Sequence, residues 1–197
     1  MEELIDFLTE VMAVSPSSTA PSFRGGLALG YVQGGREDEA RTFLETMVRD
    51  ELDTLQYDVV WLNTIVSYSE IAFWLDATEA ARRLLDVIAP FDNQITFEGC
   101  DVFDPVATVL GGLATVLGRF DEAESWFDKA IRLCEPGGMP KAIATAKLCW
   151  GRMLLRRAQP GDRARAIKLL REAQSTAADR GFRFVEQRAS AELQRAG

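Results

Sequence analysis

The 197-residue sequence contains no histidine. That absence removes Ser-His and Cys-His nucleophile pairs and every His-ligated metal site. Cysteine is scarce, with only Cys100, Cys134 and Cys149. Their odd number and their lack of C-x-x-C or zinc spacing argue against a disulfide framework or metal centre, so they read as small buried hydrophobes in a reducing compartment. No apolar run approaches the roughly 18 residues of a membrane helix, and the opening "MEELIDFLTEVMAV" carries acids where a secretory leader has a basic region. A cytoplasmic protein without a membrane contact is expected. Basic residues are outnumbered, 22 against 30 acids, for a net charge of −8. Only the diluted "GDRARAIKLLR" gathers any positive charge, so direct nucleic-acid binding is not expected.

What the sequence does have is 47% hydrophobic residues in a repeating pattern. In "GRFDEAESWFDKAI" (118–131), Ala123, Trp126, Phe127 and Ala130 stand at i, i+3, i+4 and i+7, one face of a helix. The same stripe recurs as Ala40, Phe43, Leu44, Met47, as Ala81, Leu84, Leu85, Ile88, and as Ala166, Leu169, Leu170, Ala173. A recurrence about every 40 residues is the mark of stacked supersecondary units. Five residues before each leading alanine stand Gly35, Asp76, Gly118 and Gly161. A helical hairpin needs a residue there that accepts positive φ, and among non-glycine residues Asp and Asn accept it best. Acids follow each turn, where they complement the helix dipole. Upstream, Leu27-Ala28, Tyr68-Ser69, Leu110-Gly111 and Met153-Leu154 repeat on the first helix of each hairpin, mostly a large residue followed by a small one. The segment 59–75 is apolar almost all round, as a helix covered on both sides should be.

These small-residue, Gly-turn and aromatic positions resemble the tetratricopeptide signature over about residues 23–178, with a longer spacing than its usual repeat. "GRFDEAESWFDKAI" followed by "ATAKLCWGRMLLRRAQPGDRARAIKLLREAQSTAADRGF" is similar to the C-terminal region of large bacterial signalling ATPases, namely LuxR-type transcription regulators and ATPase-containing class III adenylate cyclases. The resemblance implies an all-α, right-handed superhelix of tetratricopeptide-like hairpins, acting as a non-catalytic protein-interaction or sensor module in bacterial signalling or transcription regulation. It implies no cofactor.

The expected organisation is an amphipathic helix and linker over 1–22, four hairpins over 23–181, and a capping helix over 182–197. Leu4, Ile5, Leu8, Val11 and Met12 form the apolar face of the first helix, which either packs on the first hairpin or exchanges with a second copy to give a homodimer. Pro16 and Pro21 break the chain after it. The stretch 90–105 is longer than an ordinary helix connection and rich in acids. Asp92, Glu98, Asp101 and Asp104 lack the ligand alternation and central glycine of a calcium loop, so it reads as a solvated acidic loop.

"RGGLALGY" (24–31) has the glycines of a phosphate loop, but Tyr31 and Val32 stand where Lys and Ser or Thr are needed. Close helix packing explains it better. No catalytic, cofactor-binding or metal residue is assigned. By the resemblance, first helices line a concave groove, and its partner-binding candidates are Gln33, Asn63, Glu70, Phe73, Trp74, Thr108 and Thr115. No Lys or Arg is among the groove positions, so capture of a C-terminal carboxylate is not implied. A protein or peptide partner fits best, with Phe73 and Trp74 as anchors unless they pack on a neighbouring hairpin. The alternatives are a small-effector receptor using the same groove and, third, a histidine-free enzyme.

Overall fold

The computed structural model describes Glu10, residues 21–98 and residues 101–197. The expected N-terminal helix, and any homodimer formed through it, lie outside the described residues. The chain is all-α in class. Its helices are α1 (Pro21–Gln33), α2 (Glu37–Thr46), α3 (Trp61–Trp74), α4 (Thr78–Ile88), α5 (Val106–Val116), α6 (Phe120–Cys134), α7 (Pro140–Arg157), α8 (Asp162–Arg180) and α9 (Arg183–Ala196). Among the described residues the only sheet is an antiparallel pair, β1 (Ile95–Glu98) and β2 (Asp101–Pro105). The chain divides into two compact units, 1–89 and 90–197.

The helices pair as the periodicity demands. Ala40, Ala81, Ala123 and Ala166, the leading alanine of each stripe, are all fully buried. Small residues on the first helices permit the close approach. A Cβ on Gly111 would lie 2.6 Å from the Phe127 ring, and one on Gly151 would lie 2.6 Å from Leu170 Cγ. In the first unit, α1 packs on α2 and α3, and α3 packs on α4. In the second, α5 packs on α6 and α7, α6 on α7, α7 on α8, and α9 on both α7 and α8. The capping helix contributes Val185 and Ala189 to that core.

All four anticipated turn residues have positive φ: Gly35 (75°), Asp76 (51°), Gly118 (72°) and Gly161 (89°). Three turns share one bond pattern. The Arg36 amide donates to Tyr31 O (2.8 Å), the Ala77 amide to Ala72 O (2.9 Å) and the Arg119 amide to Ala114 O (2.9 Å). This is the 6→1 bond of a Schellman cap, which satisfies carbonyls that a helix end leaves open. The fourth turn is built differently. Ala158, at φ 53°, ends α7 in the left-handed region, and Gly161 stands immediately before α8.

Three segments depart from the expectation. Pro21 opens α1 rather than breaking the chain, since a first-turn proline gives up only an amide that has no helical partner. After α2 the chain widens into a π-helical turn (Met47–Glu51) and then tightens into a 3-10 turn (Leu52–Thr54). The acidic stretch 90–105 contains the strand pair. Its "ITFE" and "DVFDP" carry the β-branched and aromatic residues that favour extended backbone, a signal the acids obscure. Asp92 is tied to Lys129 at 2.7 Å, so it is not merely solvated.

Candidate functional site

The first unit holds four of the groove candidates on α3 and one at the end of α1. Gln33 and Glu70 are half-buried, whereas Asn63 is buried. Phe73 and Trp74 are 3% and 5% exposed, with ring centroids 5.0 Å apart. Trp74 Nε1 donates to Glu70 Oε1 at 3.3 Å, which orients both side chains on one face. The two aromatics are therefore enclosed in this structure rather than presented as surface anchors; at i and i+1 of an apolar helix, both faces are covered. In the second unit Thr108 and Thr115 are buried on α5. Thr115 Oγ1 returns to Gly111 O at 2.7 Å, and Thr108 Oγ1 is buried with no hydrogen-bond partner among the described residues. Of the seven candidates, Gln33 and Glu70 keep appreciable solvent access.

A cavity of about 350 Å³ lies in the first unit among the start of α1, the π-helical turn and the residues leading into α3. Arg24 and Glu51 form an ion pair on its wall, each side chain about one-quarter exposed or less. The π turn sets Glu51 in place, the Leu52 amide closing an i→i−5 bond to Met47 O. Asp58 Oδ1 accepts the Val60 amide at 3.0 Å and so fixes the chain entering α3. Trp61 opens that helix, its ring centroid 4.8 Å from that of Tyr57. The wall is held from behind. The Tyr68 hydroxyl donates to Pro21 O at 3.3 Å, and Gly25 is tight enough that a Cβ would lie 3.3 Å from the Tyr68 ring. Burial pushes the Tyr68 phenol well above its ordinary range, so it stays a neutral donor. The glycines of "RGGLALGY" thus lie in α1, and Gly25 serves packing.

None of Arg24, Glu51, Asp58 and Trp61 was a sequence candidate. Asp58, two residues before Val60 at the head of an apolar helix, carried a legible Asx-turn signal. Glu51 did not, because its direction depends on the π turn.

The second unit contains a buried charge network. Arg157, with 7% of its side chain exposed, makes two 2.8 Å bonds to the Asp162 carboxylate and one of 2.8 Å to Glu124. Arg165 also pairs with Glu124. Asp162 Oδ2 accepts the Gln159 amide at 3.0 Å. The Arg157 hydrogen bonds hold the Asp162 carboxyl below its usual range against the penalty of burial. At Glu124 burial raises the pKa, but Arg165 and Arg157 outweigh it and the result is a lowered value. Such a network is spent on structure: it joins α6, the α7–α8 turn and α8. Among the described residues no group of three or more Cys, Asp or Glu could hold a metal ion, and no helix is long and apolar enough to cross a membrane.

No protein-family model matches the sequence, and no curated protein is similar to it. Among solved structures, the crystal structure of BtubC (BKLC) from P. vanneervenii aligns at a TM-score of 0.45 and 14% sequence identity, covering 98% of this chain and 85% of that one. At that similarity neither the arrangement of hairpins nor a function transfers.

Proposed function

We propose that the chain is a non-catalytic protein-interaction or sensor module, a right-handed superhelix of tetratricopeptide-like hairpins serving a bacterial signalling or transcription-regulatory system. One observation carries the repeat reading: the residue five before each fully buried leading alanine has positive φ in all four hairpins. A pattern kept in register by sequence, turn geometry and packing together is that of a repeat scaffold, whose usual work is to present helix faces to a partner. The bacterial signalling context rests on the resemblance of 118–131 and 144–182 alone. Gln33 and Glu70 are the candidates with solvent access, and a peptide helix is the preferred partner.

The test is selection of peptides from a displayed library on the folded chain, followed by calorimetry. Selected peptides should bind, and Gln33→Ala with Glu70→Ala should weaken them about five-fold or more at unchanged circular dichroism. Failure to select any binder from a diverse library rejects the interaction reading. A second reading, a small-effector receptor, is favoured by the cavity at Arg24, Glu51 and Trp61, whose volume lies at the small end of ligand sites.

A further inference from the structure

We propose that the cavity of the first unit binds a protonated amine carried on a short apolar stem, with Glu51 and Asp58 as the anionic partners and Trp61 as the aromatic wall. This deepens the reading of the chain as a binding module by naming the chemistry recognised.

Charge decides the sign of the ligand. Two carboxylates, Glu51 and Asp58, face one guanidinium, Arg24, and that guanidinium is already committed to Glu51. An anion meets a guanidinium already neutralised by Glu51, with a second carboxylate lining the same space. A cation gains without breaking anything, because a carboxylate has several acceptor directions and Arg24 occupies only some of them. Two neighbouring arginines do not compensate: Arg83 of α4 bonds Asp53 at 2.7 Å and the Val48 carbonyl, and Arg49 of the π turn bonds Asp50 at 2.8 and 2.7 Å. The net charge of −8 adds a field of the same sign.

The lining decides the stem. Pro21, Leu55 and Trp61 supply apolar surface beside the carboxylates. The indole face adds attraction for an ammonium, and Tyr57 packs against the ring at a tilt of 43°. At about 350 Å³ the space suits a small amine or one lysine side chain. One wall of the site is preformed. The Tyr68–Pro21 bond and the tight Gly25 contact fix α1 against α3, and the π turn fixes Glu51, so little ordering is needed on binding. π turns inside helices are found disproportionately at functional sites.

The experiment is calorimetric titration of the full chain with n-pentylammonium, its neutral isostere n-pentanol, pentanoate, and the peptide acetyl-Gly-Lys-Gly-amide. Pentylammonium should bind at least about ten-fold more tightly than pentanol, and pentanoate should not bind. Glu51→Gln should weaken pentylammonium about ten-fold, and Asp58→Asn, at a more exposed position, about two- to three-fold. An asparagine Oδ1 can still accept the Val60 amide ahead of α3, so the second variant keeps the fold if the first loosens it; circular dichroism checks both. A lysine peptide that binds more tightly than the free amine identifies a partner protein's side chain as the source, and the reverse order identifies a free amine. Equal binding of pentanol and pentylammonium, no binding of pentylammonium, or unchanged affinity in both variants overturns the proposal. Library peptides that bind through Gln33 and Glu70 would keep the interaction reading standing in that event.

Discussion

Among the described residues two that are not glycine, Asp76 and Ala158, hold positive φ, and they are not equivalent. An aspartate tolerates the left-handed region, whereas an alanine there carries about 1 kcal/mol of steric strain. Replacing Ala158 with glycine removes that strain, and the greater freedom of glycine in the unfolded chain takes back about half of the gain. Ala158→Gly is therefore expected to stabilise the second unit by about 0.5 kcal/mol, read as a higher urea midpoint. Asp76→Gly should change less. A lower midpoint for Ala158→Gly would mean that α7 does not end as described.

At the scale of elements, the α7–α8 turn holds a buried charge network, whereas the other three hairpin turns close on the Schellman backbone bond. Truncating Arg157 would leave Asp162 buried without its counter-ion, so Arg157→Ala should cost about 3 kcal/mol or more in chemical unfolding. The pH dependence follows from the same bonds. The Asp162 and Glu124 carboxyls titrate lower when folded than when unfolded, so their contribution is complete above the ordinary carboxylate range, near pH 4. It is lost as pH falls through their lowered values. Acid titration of Asp162→Asn should accordingly show a shallower fall in stability below about pH 4 than the wild type. Much of this architecture was legible, because a stripe of four positions and a turn residue are local properties. Pro160 disfavours helix at Gln159, so the early end of α7 was readable too. The clamp was not, since Glu124 meets Arg157 only after two hairpins have packed. The cavity failed for the same reason: Arg24 and Glu51 belong to different helices, and an irregular turn aims one at the other. Phe73 and Trp74 are the converse case: bulk and aromaticity suggested an anchor unless the rings pack on a neighbour, and both rings are buried.

Over the whole molecule, the division at 89/90 gives each unit its own buried set. The second contains five helices, the strand pair and the complete Arg157 network. A fragment of residues 90–197 is thus expected to fold alone, with a cooperative melt by circular dichroism. In that fragment Arg157→Ala should lower stability by the same amount as in the full chain, because every partner of Arg157 travels with it. A fragment without a cooperative transition would show that the division is geometric and not energetic.

The strand pair has a colloidal consequence. Two strands leave outer backbone edges that a second chain can extend, and natural sheets discourage this with charge and proline. Here "ITFE" and "DVFDP" place Glu98, Asp101 and Asp104 in the strands and close β2 with Pro105. β2 also lies against α5, α6 and α7. The acids first read as belonging to a solvated loop thus stand in strands, where charge is the usual discouragement to edge-to-edge assembly. Protonation would thin that charge, so acid is expected to promote association of this chain, read as rising light scattering as the pH falls.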